Sequence, residues 1–232
     1  MKSINPFTGQ TIAEYREYKS SEVEEIITKV DDAFQSWKLI DFAQRSVSMK
    51  KLQAKLLEKK DELASIIVSE MGKVKREAVG EVEKCASVCG FYAENAESFL
   101  KNEPIKTEAS ESYISYQPIG TVLAVMPWNF PFWQVFRFLA PALMAGNTGV
   151  LKHASNVSGC ALAIEQLVAD AGFPANVFRT LLIGSKGVKA VIENPKIKAA
   201  TLTGSTPAGK SVASIAGAAL KKSVLELGGS DP

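Results

Sequence analysis

From residue 119 onward the chain alternates short apolar runs with helix-length segments, and this alternation restricts the fold more than any other feature of the sequence. The apolar runs lie at 122–125, 149–151, 177–183, 199–203 and 223–225, and helical patterns fall between them near 133–144, 157–171, 185–193 and 207–220. Strand–helix–strand repetition predicts a mostly parallel sheet with helices on both faces, because each crossover lays a helix against one face or the other. The expected class is α/β, and no internal repeat or low-complexity segment competes with it.

The first hundred residues follow a different period. Val23, Ile26, Ile27, Val30, Phe34 and Trp37 form one apolar stripe at helical spacing, opened by a capping box in which Ser21 precedes Glu24 by three positions. A second helical pattern runs over 41–71 with Leu52, Leu56, Leu63, Ile66 and Ile67 inward, and Gly72 is placed to stop it. A third covers 74–100. After the polar stretch 101–111, Tyr113, Ser115 and Gln117 alternate with Ile114 and Tyr116, the mark of a strand with one wet face, and Pro118 ends it. The expected organisation is a helical part over 1–112, a separate strand over 113–118, and an α/β core over 119–232.

Composition narrows the function classes. Lys and Arg (27) nearly balance Asp and Glu (25), and no block of like charge exceeds a short helix face, which argues against nucleic acid or a membrane as partner. Met1 to Pro6 has no apolar stretch of the signal-peptide kind, and Arg137 and Pro141 interrupt the longest apolar run, 130–151, so a soluble cytoplasmic protein is expected. Cys85 and Cys89 lie one helical turn apart on an apolar stripe with Val82 and Tyr92, which predicts buried thiols rather than a disulfide. With His153 the sole histidine, no metal site is expected.

The segment Gly204-Ser205-Thr206-Pro207-Ala208-Gly209-Lys210-Ser211 satisfies the phosphate-loop spacing G-x-x-x-x-G-K-S between a predicted strand and a helix. A nucleotide hydrolase would also need an aspartate ending a later apolar strand, to organise magnesium. Here 223–225 is followed by Glu226-Leu227-Gly228-Gly229 instead. A second reading keeps the physics and changes the ligand, with Gly204 and Ser205 at a helix N-terminus offering N–H groups and a hydroxyl to a dinucleotide pyrophosphate. A plain structural turn is the third.

In Met126-Pro127-Trp128-Asn129-Phe130-Pro131, Asn129 follows the run 122–125, at the carboxyl end of a predicted parallel strand, where such sheets bind ligands. Its amide can donate to a carbonyl oxygen that becomes an oxyanion, or it can cap the helix that follows; taken alone, the cap is the simpler reading.

Taken together, Pro127-Trp128-Asn129-Phe130-Pro131, Lys152, Thr203-Gly204-Ser205 through Gly209, and Glu226-Leu227-Gly228-Gly229 resemble the ordered motifs of aldehyde dehydrogenases, over essentially the whole chain. Asn5-Pro6-Phe7-Thr8-Gly9 and Glu70-Met71-Gly72-Lys73 are similar to segments of that family's N-terminal half, and Tyr113 to Gln117 to the strand entering its small oligomerisation sheet. The resemblance implies a Rossmann-like cofactor-binding domain preceded by amphipathic helices, in a homo-oligomer (dimer or tetramer) that oxidises a small-molecule aldehyde with NADP or NAD. It makes Asn129 the oxyanion donor and Glu226 the general base that activates water to hydrolyse a thioester. Trp128, Asn129 and Leu227 would line the cofactor groove, Lys152 would bond the adenine ribose, and Gly184 would admit the adenosine. Thr203, Gly204 and Ser205 would sit by the nicotinamide half and the pyrophosphate. Plainer readings stand beside these, with Lys152 a solvated surface lysine and Glu226 a strand-end carboxylate paired with Lys221 or Lys222.

Three departures from the family pattern sharpen the expectation. Many members that prefer NAD carry a glutamate three residues after the lysine matching Lys152, where its charge repels a ribose 2′-phosphate; Ser155 stands there in this chain, so NADP should be tolerated or preferred. His153, in place of the usual proline, is expected to be structural. Arg137, eight residues after Asn129, matches the arginine that holds the distal carboxylate in succinate-semialdehyde dehydrogenases, with pairing to an acidic surface residue as the alternative. The run 225–232 with Lys152-His153-Ala154 looks most like the bacterial members of that subgroup. The family's nucleophilic cysteine lies beyond the Glu-Leu-Gly-Gly motif in a separate catalytic domain, and none of Cys85, Cys89 or Cys160 matches it. The expectation is oxidation of succinic semialdehyde to succinate by a full-length enzyme, with this chain inactive alone. A non-catalytic nucleotide-binding or assembly fragment, acting through strand pairing at Tyr113 to Gln117, is the alternative, and a P-loop NTPase the weaker one.

Overall fold

The computed structural model describes residues 1–229; Ser230, Asp231 and Pro232, the end of the 225–232 stretch singled out above, lie outside the described residues. An antiparallel pair, β1 (Lys2–Ile4) and β2 (Thr11–Glu14), comes first and was not anticipated from the sequence. Four helices follow: α1 (Ser20–Trp37), α2 (Phe42–Glu58), α3 (Lys60–Met71) and α4 (Lys75–Phe99). A two-residue ribbon, β3 (Glu103–Pro104) and β4 (Tyr113–Ile114), leads into the α/β core. The core runs β5 (Thr121–Met126), α5 (Trp133–Met144), β6 (Thr148–His153), α6 (Ser158–Asp170), β7 (Phe178–Thr180), α7 (Val188–Glu193), β8 (Ile197–Gly204), α8 (Thr206–Ala218) and β9 (Lys222–Leu227).

The five core strands are parallel, in the order β7-β6-β5-β8-β9. The chain therefore adds strands outward from β5 to β7, then returns to the other side of β5 to lay down β8 and β9. The gap between the carboxyl ends of β5 and β8 is the topological switch point of the sheet. One face carries α1, α7 and α8, whose Ile27, Val30, Val191 and Val212 pack with Leu123, Val150 and Leu202. On the other face α5 and α6 cover Ala124, Met126 and Leu151, and α2, α3 and α4 form a further layer outside them. Both faces being covered explains why β5 and β6 read as continuous apolar runs.

The local signals account for most of these boundaries. Gly72 ends α3 at φ +80, the left-handed turn that a glycine accepts without a Cβ clash. The pattern read as one helix over 41–71 is two, broken at Lys59, because the apolar stripe stays in phase across the break. The cap of α1 also sits earlier than Ser21: the Lys19 N–H donates to Glu22 Oε2 at 2.8 Å. The strand expected over 113–118 contracts to Tyr113–Ile114 with neither face buried, because the ribbon has no layer of this chain to pack against. Among the described residues no helix is long and apolar enough to cross a membrane, and no group of acidic, His and Cys side chains is placed to hold a metal ion.

The carboxyl end of α5 is satisfied from outside the sheet. Arg45 on α2 is buried, and its guanidinium donates to the Met144 carbonyl at 2.6 Å and to the Ile40 carbonyl at 2.7 Å, while Trp37 Nε1 donates to Leu143 O at 3.1 Å. A cation there complements the negative end of the helix dipole. Replacing Arg45→Met should cost about 2 kcal/mol, the scale of a hydrogen bond to a charged group. Urea unfolding should show a lower midpoint with an unchanged slope.

Candidate functional site

The candidate residues lie along the carboxyl ends of the parallel strands, each presented by a different local device. Between β5 and α5, Trp128 and Asn129 are exposed, and among the described residues the Asn129 amide has no hydrogen-bond partner. It does not cap α5, so the simpler reading of this residue is overturned. The N–H groups of Phe132 and Trp133 donate instead to Glu81 Oε1, at 2.8 and 3.0 Å, from α4. The other oxygen of Glu81 pairs with the Lys73 ammonium; both side chains are almost wholly buried. Lys73 Nζ in turn sits 3.6 Å from the centroid of the Phe130 ring.

His153, at the end of β6, ties the same loop from the other side. Its Nε2 lies 2.8 Å from the Pro131 carbonyl, and its Nδ1 lies 3.1 Å from the Met126 carbonyl and 2.9 Å from the Ala154 N, so backbone groups engage both ring nitrogens. Burial lowers its pKa, with the Pro131 and Met126 carbonyls opposing the shift, so the ring is neutral and structural, as expected.

Lys152 is not a solvated surface lysine. It is half-buried at the end of β6 and makes no hydrogen bond or ion pair among the described residues; burial lowers its pKa, partly opposed by the charge of Glu17. Ser155 opens the short turn Ser155–Val157 that precedes α6. The first free N–H groups of α6, on Gly159 and Cys160, donate to the two oxygens of Glu70 at 2.9 and 2.8 Å. A Cβ at Gly159 would lie 2.8 Å from Glu70 Oε1, so a larger residue there would push the carboxylate off these N–H groups. Burial pushes the thiols of Cys85, Cys89 and Cys160 up, so none of the three supplies a thiolate near neutral pH.

Gly184, after β7, donates its N–H to Glu17 Oε2 at 3.3 Å and lines a cavity of ≈ 550 Å³ whose other wall is the start of α1, including Ser20 and Val23. That wall carries no sequence signal that links it to β7. After β8, Ser205 caps α8, which starts at Thr206. Gly209 and Lys210 are therefore already helical, leaving no loop long enough to wrap a phosphate in the P-loop manner. Gly209 instead admits Leu227, whose Cδ2 would come within 2.4 Å of a Cβ at that position.

At the switch point Trp128, Asn129, Arg137, Thr203 to Ser205, Glu226 and Leu227 line one cleft of ≈ 500 Å³. The Arg137 guanidinium spans it, donating to Thr203 Oγ1 at 3.1 Å and lying 3.6 Å from Glu226 Oε2. Lys221 donates to the carbonyls of Ile192 and Asn194, so the partner of Glu226 is Arg137 rather than a neighbouring lysine. Lys152, Ser155 and Gly184 stand outside this cleft, along the same edge of the sheet. The supporting carboxylates Glu70 and Glu81 were missed at the sequence level. Glu81 shares the buried face of α4 with Ala78, Val82 and Cys85, and an acid on an apolar stripe is the signal that could have found it.

The sequence model described as "Aldehyde dehydrogenase family" matches residues 1–232. The chain belongs to the aldehyde dehydrogenase family. It is 53% identical over 230 residues to the "Probable succinate-semialdehyde dehydrogenase (NADP(+))" of Synechocystis sp., covering 99% of this chain and 51% of that protein. It is 49% identical over 234 residues to the NADP(+) succinate-semialdehyde dehydrogenase 1 of Mycobacterium tuberculosis, again covering 99% of this chain and 51% of the relative. The fold superposes with a TM-score of 0.96 on the crystal structure of succinic semialdehyde dehydrogenase from Streptococcus pyogenes in complex with NADP+, at 35% identity over 99% of this chain and 51% of that one. This aldehyde dehydrogenase chain thus spans about half the length of the curated relatives it matches.

Because the folded pKa of His153 lies below its ordinary value of 6.5, the unfolded chain takes up the proton more readily. The stability that the neutral ring contributes is intact above pH 6.5 and is lost as the pH falls from there through the folded pKa. His153→Leu should cost about 1–3 kcal/mol at pH 7.5, by leaving the Pro131 carbonyl unpaired, and thermal melts should show the gap to the parent closing toward pH 5.

Proposed function

We propose that this chain is the cofactor-binding half of an enzyme that oxidises succinic semialdehyde to succinate with NADP. The observation that carries the reading is the convergence of Asn129, Arg137 and Glu226 on one cleft at the switch point of the sheet. The names of the similar proteins, NADP-linked succinate-semialdehyde dehydrogenases, support it.

The residues present fit the cofactor. Lys152 keeps a desolvated ammonium with no partner among the described residues, suited to ribose hydroxyls or a 2′-phosphate, and Ser155 brings no negative charge against that phosphate. Gly184 and its cavity suit the adenosine, and Gly204, Ser205 and the start of α8 the pyrophosphate, with Trp128, Thr203 and Leu227 along the groove toward the nicotinamide. When bound, the nicotinamide supplies a hydride acceptor.

Asn129 donates its free amide N–H to the substrate oxygen as negative charge develops there. Glu226 accepts a proton from the water that hydrolyses the acyl intermediate. Arg137 holds the distal carboxylate. Its pair with Glu226 is wide at 3.6 Å and its members are 38% and 56% exposed, so a substrate carboxylate meeting the guanidinium bidentately displaces it at small cost. The nucleophile comes from the part of the longer protein that the curated relatives contain beyond this chain, and residues 1–232 alone are inactive. In that division 1–112 is the helical support, 113–118 enters an assembly sheet and 119–232 binds cofactor. The exposed ribbon of β3 and β4 supplies the pairing edge for a homo-oligomer.

In the full protein, Arg137→Ala should raise KM for succinic semialdehyde by about 10- to 100-fold, the loss of a charge-assisted bidentate contact, and leave KM for a neutral aldehyde of similar length unchanged. An equal rise for both aldehydes would remove the carboxylate assignment. Ser155→Glu should weaken NADP more than NAD in equilibrium titration, and equal weakening would remove the 2′-phosphate argument.

A further inference from the structure

The loop that carries Asn129 is held at three consecutive residues by groups that touch neither of the two cavities. The Lys73 ammonium lies over the Phe130 ring at 3.6 Å, His153 Nε2 is 2.8 Å from Pro131 O, and Glu81 Oε1 accepts the Phe132 and Trp133 N–H groups. Lys73 and Glu81 hold each other in a pair whose side chains are 5% and 1% exposed. Asn129 has no hydrogen bond of its own among the described residues, so its neighbours set its position. Arg137 stands on the helix whose first turn Glu81 caps, little more than one turn further on.

A pair buried this deeply is a weak source of stability, since desolvation of two charges offsets most of their attraction. What it does supply is direction. One carboxylate aims two lone pairs at two N–H groups, and the cation that neutralises it presses on the ring beside Asn129. The geometry points to Lys73 and Glu81 as positioning residues that act through the 127–132 loop to fix Asn129 and through the first turn of α5 to fix Arg137, an inference that rests on the oxidation proposed above. Neither touches substrate. Their effect is on alignment, where a displacement of about 1 Å is enough to slow a reaction about 100-fold.

The double variant Lys73→Met/Glu81→Gln tests this in the full protein. It leaves no buried charge unpaired while removing the cation over Phe130 and the charge that fixes which oxygen faces the two N–H groups, so the fold survives, as a melting temperature close to the parent's would show. Turnover per active site, counted from the first-turnover burst of reduced cofactor, should fall about 10-fold or more while KM for NADP stays put. In an Asn129→Ala background the same double variant should cost much less, because the residue it acts through is gone. A purely structural role would lower the number of active sites and leave turnover per site unchanged, and that result overturns the proposal, as does an undiminished loss in the Asn129→Ala background. Peptide-level hydrogen exchange gives a readout free of catalysis, with faster exchange expected across 127–136 and unchanged exchange along the rest of α4. Unchanged exchange at 127–136 overturns the positioning claim even where the parent turns over, whereas a parent that oxidises no aldehyde overturns the functional reading and leaves the exchange result to decide this one.

Discussion

Helix α5 is gripped at both ends by charges of opposite sign from the N-terminal helices, and the geometry of the cleft depends on that grip. Glu81 meets the positive end and Arg45 the negative end, so each charge complements the dipole and satisfies backbone groups that a helix terminus leaves open. Placed between, Arg137 faces Thr203 and Glu226 across the switch point. The helical layer over 1–112 is therefore more than a cover for the sheet. Lys73, Glu81 and Glu70 end on the segments that follow β5 and β6, with Glu70 doing for α6 what Glu81 does for α5.

This division of labour explains what the sequence did and did not reveal. The α/β class, every core strand and helix, and the presence of Trp128, Asn129, Arg137, Thr203 to Ser205, Glu226 and Leu227 at one end of the sheet follow from apolar runs, glycine punctuation and the resemblance of four motifs, whereas Gln134 of the cleft was not anticipated. The roles of Lys73 and Glu81 were not legible there, because their partners are backbone N–H groups and an aromatic face some 50 residues away, although Lys73 lies in a family-like segment and Glu81 is an acid on an apolar stripe. For Asn129 the reading from local rules was a helix cap, and it failed for the same reason: a distant carboxylate had taken the position. The P-loop spacing failed differently. Its glycine and lysine fall inside α8, where Gly209 serves the packing of Leu227.

The charges in the cleft also show why burial has to be judged group by group. The Glu226–Arg137 contact is open to water and wide, so it yields to a competing carboxylate, whereas the Glu81–Lys73 pair is sealed and exchanges with nothing. Lys152 is intermediate, desolvated and with no ion pair among the described residues, and so retains three donors for a ligand.

The strand order divides the cleft between two halves of the sheet. Asn129 and Arg137 belong to the half of the sheet laid down first, and Thr203 and Glu226 to the half added after the chain has returned past β5. No local hairpin brings them together, so the cleft rests on a strand pairing between segments distant in sequence. A chain that has folded only through β7 would hold Lys152 and Gly184 in place with no cleft beside Asn129. The cleft therefore exists only while β8 and β9 are seated beside β5, whereas Lys152 and Gly184 belong to the half of the sheet on the other side of β5.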